Sequence, residues 1–190
     1  SKSLFMLTSR RILVSCANKY KLVDFWKGLN SDGFQAYASD GTYNFLKRHG
    51  NSTDDNLKHS DALTSYSKFL DGKVKTMHPN IFTGILADPN CESDQEEMEH
   101  LEIQPIDIVC VNLYPVEHEL KNYYDENYQH KYEFNNPNLN INPILAHTDI
   151  GGSALIRAAC KNYANVLPVV DPSDYDHILY KLENNTSFSI

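Results

Sequence analysis

The stretch RILVSCANK at residues 11–19 decides the expected fold. Its first part, Arg11 to Ser15, is a short run rich in aliphatic and β-branched residues, which is typical of a buried strand. The following segment, Tyr20 to Leu29, repeats apolar residues at helical spacing, and Asp32 and Gly33 end it. A buried strand that leads directly into an amphipathic helix predicts a βαβ arrangement and a parallel sheet.

The same alternation continues on both sides of a less regular middle region. Further strands are predicted at Phe34 to Ala38, Ile106 to Val111 and Val166 to Val170, and further helices at Gly41 to His49, Ser153 to Lys161 and Asp174 to Glu183. Pro168 cannot donate a ladder hydrogen bond, so the last strand is expected at an edge or a bulge. The order predicts an α/β fold, a three-layer α/β/α sandwich around a mainly parallel sheet.

Two segments depart from this pattern. Lys73 to Ala87 is punctuated by proline and glycine, and we interpret it as a functional loop. Glu117 to His147 is rich in Asn, Tyr and His and lacks periodicity, which indicates a surface insertion or a drift towards low complexity.

Composition narrows the class of protein. The chain has 190 residues and a formal net charge of −8, whereas a general nucleic-acid binder is usually basic. Its four cysteines form no CxxC pair, which predicts buried free thiols in a reducing compartment.

The sequence shows no signal peptide and no apolar run near the roughly 20 residues of a membrane span, so a cytoplasmic location is expected. No metal is expected, because the eight histidines show neither HxxxH nor HExxH spacing.

Polar clusters follow the first two predicted strands, where an open α/β sheet binds its ligands. The first is Ser15 to Lys19. The second, Ser39-Asp40-Gly41-Thr42, opens a helix, and free backbone N–H groups at a helix start suit a phosphate. The simpler alternative is that Ser39 or Asp40 only caps the helix.

Two further clusters complete the candidate site. Lys73-Val74-Lys75-Thr76-Met77-His78-Pro79 places two lysines on one side of an extended segment, although a solvated loop often shows such a pair. Asn112-Leu113-Tyr114-Pro115 follows a buried strand, and Thr148 to Gly152 opens the helix that ends at Lys161. Asp149 is either functional or only an N-cap. Lys161 lies three turns farther along, so it can act only on a site that runs along the helix.

These clusters resemble, in order, the motifs of the inosine monophosphate (IMP) cyclohydrolase domain of the bifunctional purine enzyme that joins it to a folate-dependent AICAR transformylase. The matching stretches are SCANKYK (15–21), SDGT (39–42), GKVKTMHP (72–79), GILA (84–87), NLYPV (112–116), DIGGSALIRAACKN (149–162) and VDPSDY (170–175). The resemblance covers nearly the whole chain and implies a methylglyoxal-synthase-like fold.

The resemblance also implies site roles. Lys75, Tyr114, Asp149 and Lys161 would be catalytic, with Lys75 stabilising an oxyanion and the other three sharing proton transfer. The substrate-binding set would be Lys19, Ser39, Gly41, Thr42, Lys73, Thr76, Asn112 and Gly151. Five positions depart from the family pattern, all on the proposed phosphate and ribose side: Ala17, Tyr20, Lys21, Asp40 and Lys73. Asp40 would place a negative charge beside the phosphate.

As a whole, residues 1–190 are expected to form one cyclohydrolase domain with an insertion at 117–147, without the transformylase domain. The expected substrate is the formylated AICAR nucleotide, the product is IMP, and no cofactor is required. The candidate partners are a second copy of the chain in a homodimer and a C-terminal transformylase domain. Neither a nucleic acid nor a membrane is expected as a partner. Two alternatives stay open, namely methylglyoxal synthase and a non-catalytic nucleotide-binding or regulatory domain of the same fold.

Overall fold

A five-stranded sheet forms the centre of the molecule in the computed structural model, which describes residues 10–50, 55–64, 76–117, 121 and 148–184. The strands are β1 (Arg11–Cys16), β2 (Gln35–Ala38), β3 (Leu57–His59), β4 (Ile108–Asn112) and β5 (Leu167–Val169). Their order is β3-β2-β1-β4-β5, and every pairing is parallel. The parallel sheet is therefore confirmed, and Pro168 lies in an edge strand as predicted.

Helices cover both faces of the sheet. They are α1 (Leu22–Ser31), α2 (Asp40–His49), α3 (Pro79–Leu86), α4 (Glu92–His100), α5 (Ile150–Lys161) and α6 (Tyr175–Glu183). One apolar cluster joins α1, α2 and α6 to one face, and a second joins α3 and α5 to the other. Alternation along β1 explains this division, since Ile12 and Val14 belong to the first cluster and Leu13 to the second. The three-layer sandwich is confirmed.

The first cluster has an aromatic centre. Phe25 of α1 and Tyr175 of α6 are almost fully buried, and their rings stack with centroids 4.2 Å apart. The Tyr175 hydroxyl lies 3.5 Å from the Sγ of Cys110 and 3.8 Å from that of Cys16. The hydrogen bond to Cys16 and burial raise the pKa of the Cys110 thiol, so it stays protonated.

Several sequence-based expectations need correction. Pro79 to Leu86 is a helix rather than a loop, since Pro79 occupies the first helical turn and the His78 side chain caps it by accepting from the Asn80 N–H. All four cysteines are free, but only two are buried and Cys160 is exposed. The insertion predicted at 117–147 lies almost entirely outside the described residues. Within the described part of the chain, no helix is long and apolar enough to cross a bilayer.

Candidate functional site

The strand order fixes where a site can form. The chain passes from β1 to β2 and β3 on one side and returns through β4 and β5 on the other. The topological switch point therefore lies between β1 and β4, and ligands of such sheets bind beyond the carboxyl ends of the strands there. Cys16 pairs with Asn112 at that end. The loops after β1 and β4 thus meet where the sequence predicts the polar clusters.

Thr42 is the centre of a polar cradle between β1 and α2. Its side chain is buried, and its hydroxyl oxygen accepts from the Cys16 N–H at 3.1 Å and from Lys19 Nζ at 3.2 Å. The Ser39 hydroxyl lies 3.3 Å from the same oxygen. Lys19 Nζ also donates to the Cys16 carbonyl, and desolvation lowers the pKa of Lys19. The Thr42 hydroxyl therefore contacts Lys19 and Ser39 as well as the end of β1, and it joins the loop after β1 to the start of α2.

The α2 start presents an open N-terminal turn. Ser39 occupies the N-cap position, as the simpler alternative expects, but its side chain makes no capping hydrogen bond among the described residues. A Cβ added to Gly41 would meet no atom of the described chain within 4 Å. Nothing in the described residues requires glycine there, and the space beside this backbone is open to an approaching group.

Asn112 secures the loop after β1 rather than facing open space. Its Oδ1 accepts from the Asn18 N–H at 2.7 Å, and its Nδ2 donates to the Asn18 carbonyl at 3.0 Å. Its backbone carbonyl also accepts from the Ala17 N–H at 3.1 Å. Both polar atoms of the amide hold the loop after β1, so the structure gives Asn112 a positioning role, and its contact with a substrate stays a prediction.

The start of α5 forms a second part of the site. Asp149 is the N-cap, and its Oδ1 accepts from the Gly152 N–H at 2.7 Å. No described residue donates a hydrogen bond to Asp149 Oδ2. An added Cβ on Gly152 would lie 2.5 Å from that Oδ2 and 2.8 Å from Leu113 Cδ2, so glycine is needed here for close packing. The carboxylate is therefore held next to the loop after β4.

Thr76 and Gly151 bring a third segment to the same place. A Cβ on Gly151 would lie 2.5 Å from Thr76 Oγ1, so the threonine packs directly on the backbone of the α5 start. The described chain after residue 75 thus begins beside Asp149. Lys73 and Lys75 themselves lie outside the described residues.

The remaining two catalytic candidates differ in their placement. Tyr114 follows β4, and the residue is 53% exposed. Lys161 is exposed at the last residue of α5. With a rise of about 1.5 Å per residue, it lies roughly 17 Å along the axis from the helix start. The structure does not bring Lys161 to Asp149 within one chain, and the proton-transfer role of Lys161 stays a prediction.

An unexpected ion pair lies beside the cradle. The Asp40 carboxylate contacts His59 Nε2, and Asp61 Oδ2 lies 3.4 Å from His59 Nδ1. The His59 imidazole thus lies between two carboxylates, one of which is the Asp40 carboxylate beside the cradle. No sequence pattern points to this histidine, because β3 is only three residues long and shows no periodicity.

This arrangement agrees with a known family. The family model of the MGS-like domain matches residues 21–132, more than half of the chain, and the chain belongs to that family. Its relatives include the bifunctional purine biosynthesis protein PurH of Macrococcus caseolyticus, 36% identical over 93% of this chain and 32% of that protein. PurH of Limosilactobacillus reuteri is 35% identical over 95% of this chain and 32% of its own length.

A solved structure supports the same fold. The crystal structure of ForH matches with a TM-score of 0.74 and 29% identity, over 94% of this chain and 82% of that one. The resemblance inferred from the motifs and the methylglyoxal-synthase-like fold are both confirmed. The chain spans about a third of the length of the PurH relatives, which are enzymes of purine biosynthesis.

Proposed function

We propose that this chain is an IMP cyclohydrolase, which closes the six-membered purine ring of 5-formamidoimidazole-4-carboxamide ribonucleotide. The observation that carries the proposal is the meeting of four motif clusters at the β1–β4 switch point, with Asp149 held beside Leu113 and Thr76 beside Gly151. Similarity to PurH over most of the chain supports this choice of substrate.

The cradle around Thr42 would hold the nucleotide phosphate. The α2 start supplies backbone N–H groups and the positive end of a helix dipole, and Gly41 leaves room for close approach. Lys19 and Ser39 add a cation and a hydroxyl from either side of Thr42. Lys73 would add a second positive charge near the phosphate. Phosphate binding acts on ground state and transition state alike, so it sets affinity rather than turnover.

Ring closure would take place beside Asp149, at the start of α5. The carboxamide nitrogen attacks the formyl carbon, a C–N bond forms, and the carbonyl electrons move to oxygen. That oxyanion takes the proton released by the attacking nitrogen. The resulting hydroxyl then leaves as water with the proton of the former formamide nitrogen. Both reacting groups belong to one molecule, so the protein must hold the reactive rotamer, stabilise the oxyanion and move protons.

Asp149 would accept the first proton. Its Oδ1 is fixed by the Gly152 N–H, while no described residue donates to its Oδ2. A carboxylate oriented through one oxygen and available through the other suits a general base. Lys75 would meet the oxyanion, and Tyr114 would orient the carboxamide from the mouth of the site.

The test is an assay of the purified chain with the formylated ribonucleotide, followed in the ultraviolet as the second ring becomes aromatic. We expect product to form in the presence of EDTA and without folate, since the reaction is intramolecular and needs no cofactor. Activity lost on chelation and restored by a divalent metal would contradict this. Tight nucleotide binding without turnover would instead support the non-catalytic alternative.

The His59–Asp40 pair gives a second, smaller prediction. His59→Ala should weaken binding of a purine monophosphate by up to about five-fold, because the Asp40 carboxylate would then face the phosphate without the imidazole that now contacts it, and such pairs contribute about 1 kcal/mol or less. Adding Asp40→Gly should restore the affinity, and Asp40→Gly alone should change it little. Equilibrium binding of the four proteins forms a double-mutant cycle. If the double variant binds as weakly as His59→Ala, Asp40 does not act on the phosphate.

The larger setting is also a proposal. Since the PurH relatives are bifunctional and about three times as long, a transformylase domain in the full-length protein, a homodimer and a cytoplasmic location are the setting we propose for this activity.

A further inference from the structure

The turn between β1 and α1 contains a backbone conformation that its residue type disfavours. The Leu22 N–H donates to the Lys19 carbonyl at 3.1 Å, so residues 19–22 form a four-residue turn. Its third residue, Lys21, has φ 54° and ψ 5°, in the left-handed region. Glycine or asparagine usually occupies such a turn position, because other side chains are strained there. Strain of this kind persists only where neighbouring contacts hold it, and it is often found at functional sites.

The contact that holds Lys21 comes from the start of α6. Lys21 Nζ lies 2.5 Å from Asp176 Oδ2, and this hydrogen bond raises the pKa of the lysine. The centroid of the Tyr20 ring lies 5.9 Å from the same Nζ atom. Tyr20 and Lys21 are two of the five positions that depart from the family motif. Here they interact with each other and with a residue 155 positions away from Lys21 in the sequence.

The turn begins at a residue of the Thr42 cradle. Lys19 Nζ donates to the Cys16 carbonyl and, at 3.2 Å, to the Thr42 hydroxyl. Among the described residues, no hydrogen bond joins Lys21 or Asp176 to Thr42 itself. An effect of the ion pair on the cradle must therefore pass through the backbone of Lys19, which closes the turn.

We propose that the Lys21–Asp176 ion pair positions Lys19 in the cradle by holding the left-handed turn that Lys19 begins. Lys21 and Asp176 are positioning residues, since they act through Lys19. The inference rests on the proposed function of the cradle as the phosphate site. Both side chains of the pair are partly or largely exposed to solvent, so its loss is expected to cost at most about five-fold in affinity.

The first test needs no ligand. Burial lowers the pKa of Lys19, and a pH titration of its Cε signal in protein labelled with ¹³C-lysine measures that pKa. In Asp176→Asn we expect the pKa of Lys19 to rise towards that of an exposed lysine, because the relaxed turn exposes the ammonium group. Loss of a negative charge would by itself lower this pKa, so a rise reports a change in geometry. An unchanged or lower pKa would overturn the proposal.

The matched control is Asp174→Asn, two residues away at the same helix start. Asp174 is exposed, and its side chain forms no ion pair in the part of the chain that the structure describes. This variant should leave the pKa of Lys19 unchanged. An equal rise in Asp174→Asn and Asp176→Asn would overturn the proposal, because it would reflect the charge of the helix start and not the ion pair.

Lys21→Gly separates the conformation of the turn from the ion pair. Glycine adopts a positive φ without strain, so this variant should keep the pKa of Lys19 near that of the unaltered chain. Adding Asp176→Asn to Lys21→Gly should then have no further effect. If the added substitution still raises the pKa of Lys19, Asp176 acts by another route and the proposal is overturned.

Equilibrium binding of inosine monophosphate connects the turn to the proposed function. Asp176→Asn should weaken binding by about two-fold to five-fold in the unaltered chain and by nothing measurable in Lys19→Met, with turnover unchanged. Equal losses in both backgrounds would overturn the proposal. If Lys19→Met binds like the unaltered chain while Asp176→Asn still raises the pKa of Lys19, the cradle is not the phosphate site, although the ion pair positions Lys19. The two failures are thus distinguishable.

Discussion

Replacing Lys75 with alanine should lower turnover by at least about 100-fold while leaving nucleotide affinity within several-fold. Loss of one preorganised donor to an oxyanion typically costs about 100-fold to 1,000-fold in turnover. Thr76, the next residue, packs on Gly151 at the α5 start, so the chain enters the described region beside the proposed base Asp149. Lys75 directly precedes Thr76 in the sequence, and we propose that its ammonium group meets the charge that develops during ring closure.

The matched control is Lys73→Ala, two residues away. A cation near the phosphate acts equally on ground state and transition state, so this variant should raise the Michaelis constant and leave turnover nearly unchanged. Steady-state kinetics and equilibrium binding of both variants, with circular dichroism as a check of folding, make the comparison. Normal turnover by Lys75→Ala would show that the catalytic assignment is wrong, and the non-catalytic binding domain would then be the better description.

Most of the strands can be predicted from sequence because each buried strand leaves a local pattern. The predicted strands at 11–15, 34–38 and 106–111 differ from β1, β2 and β4 by at most two residues at either end. β3 cannot be predicted in this way, because a strand of three residues is too short to show an alternation of apolar and polar residues. α3 resembles a loop in sequence because its proline and glycine suggest a break, whereas Pro79 lies in the first helical turn and Gly84 packs against the Gln104 carbonyl.

The site is predictable in part for a related reason. Loops after parallel strands converge at the switch point, so the order of the strands alone leads one to expect that the clusters around Lys19, Thr42 and Asn112 meet. What each side chain does there depends on partners distant in sequence. Asn112 holds Asn18, and Asp40 faces His59. The first contact spans 94 residues, and the second joins α2 to β3. Neither contact can therefore be predicted from the local spacing of residues.

Lys161 illustrates the limit of motif matching. The stretch from Asp149 to Asn162 matches the family motif as a unit, but a straight helix places its two charged ends at opposite edges of the sheet. A motif preserves the order of residues and not their distance. All four predicted catalytic residues stay proposals, and Lys161 lies apart from Asp149 within one chain.

Asp149→Asn should lower turnover by at least about 100-fold without loss of stability, and this substitution separates a base from a helix cap. Asparagine and aspartate are comparable N-cap residues, so the bond from the Gly152 N–H is kept. Asparagine cannot accept a proton, and general acid–base catalysis contributes about 100-fold to 10,000-fold. If Asp149 only caps α5, the variant should retain nearly full turnover.

The complementary variant is Asp149→Ala, which removes both the cap and the carboxylate. It should show the same loss of turnover as Asp149→Asn and in addition a loss of about 1 kcal/mol in the free energy of unfolding, the usual cost of deleting an N-cap. Urea unfolding measures the second effect, and steady-state kinetics at saturating nucleotide measures the first. Asp149→Asn turning over like the unaltered chain, with Asp149→Ala both unstable and slow, would leave Asp149 a structural cap and exclude it as the base. Equal turnover losses in both variants, with only alanine destabilised, would place the base at Asp149 Oδ2, beside Leu113.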